Sequence, residues 1–135
     1  MSTPNLIGKQ NTDGSISYIY CHHDGCPEHN GKILKEHYTN PKIIDQLLKL
    51  GDMSCLGSKP IPAKSFDDFA EETCIPYSIR DEWTPAGHAN NEAEYLDAFG
   101  ESACDFCYLF KDGQWFYIYA YDQKEDGWKP VSEEV

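Results

Sequence analysis

The sequence predicts an α+β fold: an antiparallel sheet built from N- and C-terminal hairpins, with a helical hairpin and shorter helices packed on it. Two observations carry this. Asp13-Gly14 and Asp112-Gly113 each lie between runs in which apolar and other residues alternate with period two, the signature of a hairpin. Between these hairpins the period changes to that of a helix, most clearly at Ile43, Ile44, Leu47 and Leu48. Strands at both ends with helices between them make an α+β arrangement. A chain of 135 residues suits a single globular domain over 1–135 and can bury a core without disulfides.

The elements follow in order. Leu6–Gln10 and Ser15–Cys21 flank Asn11-Thr12-Asp13-Gly14, with Ile16, Tyr18 and Tyr20 on one face and Ile19 and Cys21 on the other. Pro27 suits a first helical position, because that position needs no backbone N–H, and a helix to about Tyr38 puts Ile33, Leu34, His37 and Tyr38 on one stripe. Asn40-Pro41 opens a second helix and Gly51 stops it. Residues 52–64, with Gly57, Pro60 and Pro62, read as loop. Ser65 to Asp68 resembles a capping box before a short helix with Phe66, Phe69 and Ala70 inward. Cys74 to Tyr77 reads as a short strand, 78–91 as exposed loop, and 91–99 as a helix burying Tyr95, Leu96 and Phe99. Cys104–Phe110 and Gln114–Tyr121 form the second hairpin, apolar on both faces. Trp128 to Val131 would add an edge strand, where Pro130 is tolerated, and 132–135 reads as a frayed tail.

Net charge is −12 and it is uneven. Residues 1–64 carry seven lysines against six acids, whereas 65–105 carry eleven acids against one base, Arg80. That balance argues against direct nucleic-acid binding, which needs cations facing phosphates, and suits attraction of a basic partner. Asp67, Asp68, Glu71, Glu72, Asp81, Glu82, Glu92, Glu94 and Asp97 are the candidate partner-binding residues, the alternative being a merely solubilising face. No apolar run is long enough for a membrane span, and the N-terminus lacks the pattern of a signal peptide. The expected location is the cytosol, with the six cysteines reduced.

Chemistry-bearing residues concentrate in Tyr18-Ile19-Tyr20-Cys21-His22-His23-Asp24-Gly25-Cys26-Pro27-Glu28-His29-Asn30-Gly31, a strand running through a turn into a helix. Three readings compete there. Cys21, Cys26 and His29 have zinc-ligand spacing, and Cys104/Cys107 form a C-x-x-C, but strand residues three apart face opposite ways, so packed cysteines are the default and no cofactor is expected. Cys21 or Cys26 near a helix start would be an activated thiol, with His22 or His23 as base and Asp24 as its orienter. A Gly25 turn leaves N–H groups free for a phosphate-bearing ligand, with His22, His23, His29 and Arg80 adding positive charge and Asp24 and Glu28 opposing a bare anion; the plainer reading is that Asp24 caps the helix, and a cleft around His22, Asp24 and Arg80 is the alternative.

The run Ile19-Tyr20-Cys21-His22-His23-Asp24-Gly25-Cys26-Pro27-Glu28-His29-Asn30-Gly31, with Leu34, His37-Tyr38, Leu50-Gly51-Asp52, Arg80-Asp81, Tyr108-Leu109-Phe110, Asp112-Gly113 and Trp115, resembles a family of small proteins from bacteriophages, prophages and their hosts. The resemblance spans most of the chain and is weakest over 58–75 and 84–100. It implies a phage-like origin but no reaction. Position 26 in that family is more often aromatic than cysteine, which removes a zinc ligand from the pattern. By analogy, a small acidic phage protein in the host cytosol would act without catalysis, as a host-defence inhibitor occupying the basic surface of a nucleic-acid-handling host protein. A small enzyme or phosphate-binding module at residues 21–29 is the alternative, and a zinc-stabilised domain the second.

Overall fold

The computed structural model describes residues 3–67, 72–120 and 127–131. The chain is α+β. Its strands are β1 (Asn5–Gln10), β2 (Ile16–Cys21), β3 (Met53–Cys55), β4 (Ile75–Pro76), β5 (Gly87–Ala89), β6 (Phe106–Lys111), β7 (Gln114–Tyr119) and β8 (Lys129–Pro130). Its α-helices are α1 (Lys32–His37), α2 (Pro41–Lys49) and α3 (Glu92–Ser102).

Both expected hairpins form, β1 with β2 and β6 with β7. The second closes on a tight turn in which Asp112 (φ 53°) and Gly113 (φ 79°) both take positive φ, the geometry an Asp-Gly pair supplies. The two hairpins share one sheet, ordered β4-β3-β2-β1-β6-β7-β8, with β5 also on β2. The expectation of an antiparallel sheet needs correction, because β1 runs parallel to β6 from Asn5↔Phe106 to Lys9↔Phe110. The chain between Cys21 and Phe106 passes through α1, α2 and α3, and a connection of that length does not impose the antiparallel return that a short turn does. The β2–β3 pair is parallel for the same reason, with α1 and α2 between its strands.

The expected loops are also corrected. Residues 52–64 contain β3, and 78–91 begin within a 3₁₀ turn, Tyr77–Arg80, and then contain β5. Strands of three residues hold too few side chains to show a period. β5 pairs with β2 at Ile16 to Tyr18 and β3 pairs with it at Cys21. In the gap between them Tyr20 N–H donates to the Asp52 carboxylate at 2.9 Å, so a side chain stands where a strand would. The expected short helix from Phe66 to Glu72 is corrected where it is described, since Phe66, Asp67 and Glu72 lie in turns; residues 68–71, with Tyr121 and the 132–135 tail, lie outside the described residues.

Helices cover both faces of the sheet. On one, Leu34, Tyr38, Ile44 and Leu47 pack on Ile7, Ile19, Tyr108 and Trp115, as the expected helical hairpin should. On the other, Tyr95, Leu96 and Phe99 of α3 pack on Leu6, Ile16, Leu109 and Ile118. The large polar-tipped side chains in this core donate to main-chain oxygens: Tyr38 to Gly57 at 2.7 Å, Tyr95 to Tyr108 at 2.7 Å and Trp115 Nε1 to Tyr38 at 2.8 Å. Burial of such rings is favourable only with those partners in place.

Candidate functional site

The strand-to-helix turn is pinned from three sides. Past the end of β2, His22 N–H donates to the Met53 carbonyl and His23 N–H to the Ser54 carbonyl, each at 3.0 Å. Gly25 N–H donates to the Thr3 carbonyl at 2.8 Å, and a Cβ on Gly25 would stand 2.4 Å from that same oxygen, so only glycine permits the approach. From below the turn, the buried Tyr108 hydroxyl donates to the Gly25 carbonyl at 2.6 Å. Two fully buried asparagines complete the clamp. Asn5 Nδ2 donates to the Cys21 carbonyl and Asn30 Nδ2 to the His23 carbonyl, both at 3.1 Å. Sequence reasoning missed Asn5, Asn30 and Tyr108 as determinants of this turn. Asparagine is usually a surface or turn residue, and nothing local marks these two as buried.

Helical structure begins at Pro27 as expected, but its first turn, Pro27–Gly31, is a π-turn that runs directly into α1. The expectation that Asp24 caps this segment is corrected. The N-cap is Cys26, in extended conformation and without a side-chain cap bond. Asp24 instead takes a left-handed conformation (φ 60°), where an Asp is tolerated, and its exposed carboxylate lies 3.9 Å from His29 Nε2.

Burial shifts the thiols away from the thiolate form. Burial pushes Cys21 up to about 12, and its thiol faces the carbonyls of His23 and Ser54. Burial likewise raises Cys26, Cys55, Cys74, Cys104 and Cys107. A nucleophilic cysteine needs the opposite shift. His22 is engaged by Tyr20, whose hydroxyl lies 2.6 Å from Nδ1. Burial drives that phenol up to about 12, so it keeps its proton. The His23 ring rests edge-on against His22 at 4.6 Å.

The candidates do not converge. Arg80 stands on the 3₁₀ turn with its guanidinium 4.0 Å over the Phe66 ring and 3.4 Å from Glu82, away from the cleft that Asp24 lines. That cleft, of about 580 Å³, runs between the Pro27–His37 segment and β3–β4. Asp24, Glu28, Glu36 and Glu72 line it alongside His29, Lys32 and His37, a balance unfavourable to a bare phosphate. The zinc grouping is corrected as well: among the described residues no three His, Cys, Asp or Glu side chains come together to hold a metal ion. Cys104 and Cys107 share the α3 face rather than opposing each other, because Cys104 precedes β6 and escapes its alternation.

The acidic residues take varied positions. Asp67 is exposed in a turn, Glu72 is exposed and 3.7 Å from Lys59, and Asp68 and Glu71 lie outside the described residues. Asp81 and Glu82 are exposed at the end of the 3₁₀ turn. Glu92 is tied to Lys111 at 2.7 Å, and Glu94 accepts from Asn90 N–H at 3.1 Å. On α3 the exposed residues Glu94, Asp97 and Glu101 recur at i, i+3 and i+7, forming one outward stripe. Sequence reasoning named the first two and passed over Glu101. Among the described residues no helix is long and apolar enough to cross a membrane. No protein-family model, curated protein or solved structure matches the chain.

Proposed function

We propose that this is a phage-type acidic interaction protein that acts without catalysis, by occupying the basic, nucleic-acid-binding surface of a host protein. The observation that carries the reading is the outward stripe of α3. Its residues Glu94, Asp97 and Glu101 are exposed, and the helix carries no base to offset them. Glu101 lies in the last turn, at the negative end of the helix dipole, where a carboxylate costs stability. Asp81, Glu82, Glu72 and Asp67 extend the exposed acidity beyond the helix. The raised thiols and the dispersal of His22, Asp24 and Arg80 weigh against the enzyme alternative.

Such a surface steers a cationic partner and weakens as salt screens it. The test is capture of basic host proteins on immobilised protein at low and high salt, followed by competition with DNA or RNA. The expected partner elutes with salt, is displaced by nucleic acid, and associates more slowly with Asp97→Asn/Glu101→Gln. A partner whose binding ignores both salt and that variant would overturn the proposal.

A further inference from the structure

The β6–β7 hairpin carries a ladder of directly opposed aromatic pairs on one face: Phe110–Trp115, Tyr108–Tyr117 and Phe106–Tyr119. Ring centroids in these rungs are 5.3, 6.3 and 5.0 Å apart. The helical hairpin covers the ladder only in part. Trp115 is 3% exposed, Phe110 5% and Tyr108 0%, but Tyr119 is 38% exposed. The last rung therefore leaves aromatic surface at the end of the sheet, in an open groove of about 560 Å³.

Two carboxylates stand beside these rings in the groove. Glu28, from the first turn after Pro27, and Asp105, just before β6, line it with Phe106, Tyr117 and Tyr119, and among the described residues Lys129 is the one base on its wall. Asp105 is held by its backbone, its N–H donating to Pro4 at 2.9 Å and its carbonyl accepting from Ala120 at 2.8 Å.

Aromatic faces beside carboxylates recognise a flat cation. The ring quadrupole attracts it, and the carboxylates take its N–H groups. The chain shows the same chemistry within itself. The Arg80 guanidinium lies 4.0 Å over Phe66, whose ring stacks on Tyr77 at 5.9 Å, with Glu82 3.4 Å away. We propose that the groove between Glu28, Asp105 and the Phe106–Tyr117–Tyr119 rings receives an arginine side chain of a basic protein partner. The inference rests on the reading of the protein as a binder of a basic partner, and names the contact that would confer selectivity.

The test is a two-dimensional ¹⁵N NMR titration with N-acetyl-arginine methylamide, beside its uncharged citrulline counterpart. The arginine compound is expected to shift the amides of 105–107 and 117–119, and the citrulline compound to leave them in place. Tyr119→Ala should weaken the arginine compound by roughly threefold to fivefold, the scale of an exposed cation–π contact. Glu28→Gln/Asp105→Asn should weaken it by about tenfold, as expected for lost charge-assisted bonds. The α3 variant Asp97→Asn/Glu101→Gln should leave these shifts unchanged. Equal shifts from citrulline, shifts confined to other residues, or groove variants that bind as the wild type does would each overturn the groove assignment while leaving the acidic-surface proposal standing. Groove shifts without any salt-sensitive basic partner would instead overturn that proposal and keep the cation site.

Discussion

Removal of one hydroxyl tests whether the turn at 22–26 is held from beneath the sheet. In Tyr108→Phe the ring stays in the core, where Tyr108 is 0% exposed, and only the 2.6 Å bond to the Gly25 carbonyl is lost. Gly25 is itself buried, so water does not readily replace the donor. An ordinary hydrogen bond contributes about 1 kcal/mol net, and stranding a buried acceptor raises the cost to about 1–3 kcal/mol. With a urea m-value of about 1–3 kcal/mol/M, the midpoint should fall by on the order of 1 M. Equilibrium urea unfolding followed by tryptophan fluorescence measures this. Amide exchange locates it, and protection should drop first at Gly25 and Asn30, whose N–H groups bond to Thr3 and Asp24. Tyr117→Phe, altered on the same face at a half-buried ring, is the control and should change stability by less than about 0.5 kcal/mol. A Tyr108→Phe loss no larger than the control's, with unchanged exchange at Gly25, would refute the account of a turn pinned by the strand below it.

Three further outcomes follow from the same structure. Leu47→Ala should cost about 2–5 kcal/mol in urea unfolding, since Leu47 is 0% exposed beneath the helical hairpin; a loss below about 0.5 kcal/mol would contradict its place in the core. Burial raises the Asp52 pKa above its ordinary 3.8, so its contribution to stability is greatest below that value and is lost as pH rises through the higher folded pKa. Asp52→Asn keeps an acceptor for Tyr20 N–H, so it should be at least as stable as the wild type at pH 7 and show a flatter stability–pH curve above pH 4; a clear loss at pH 7 would show that the charge itself is needed. Glu101→Gln should stabilise the protein by about 0.3–1 kcal/mol by relieving the end of α3, with no gain in thermal unfolding counting against the dipole argument.

Much of this protein is readable from local sequence, because the responsible interactions are local. Asp112-Gly113 closes a hairpin through its own backbone freedom, Asn40 caps α2 by accepting from Lys42 N–H at 2.9 Å, and Tyr95, Leu96 and Phe99 fall inward by helical periodicity alone. Short β3 and β5 were not readable, since each is defined by what it pairs with rather than by a period of its own. The same holds for the parallel β1–β6 seam, whose direction depends on where the crossing helices deliver the chain. The motif around Cys21 to Gly31 was visible as a concentration of reactive groups, yet tertiary structure decided what those groups can do. Burial raises the Cys21 thiol, Arg80 stacks on Phe66 elsewhere, and the turn is fastened by Asn5 and Tyr108, which lie 16 and 83 residues from their partners. Sequence by itself determined the two hairpins, the helices α1, α2 and α3 and how unevenly charge is spread. Tertiary structure alone decided which aromatic rung stays open and which carboxylates stand beside it, because solvent exposure and long-range proximity are properties of the packed chain.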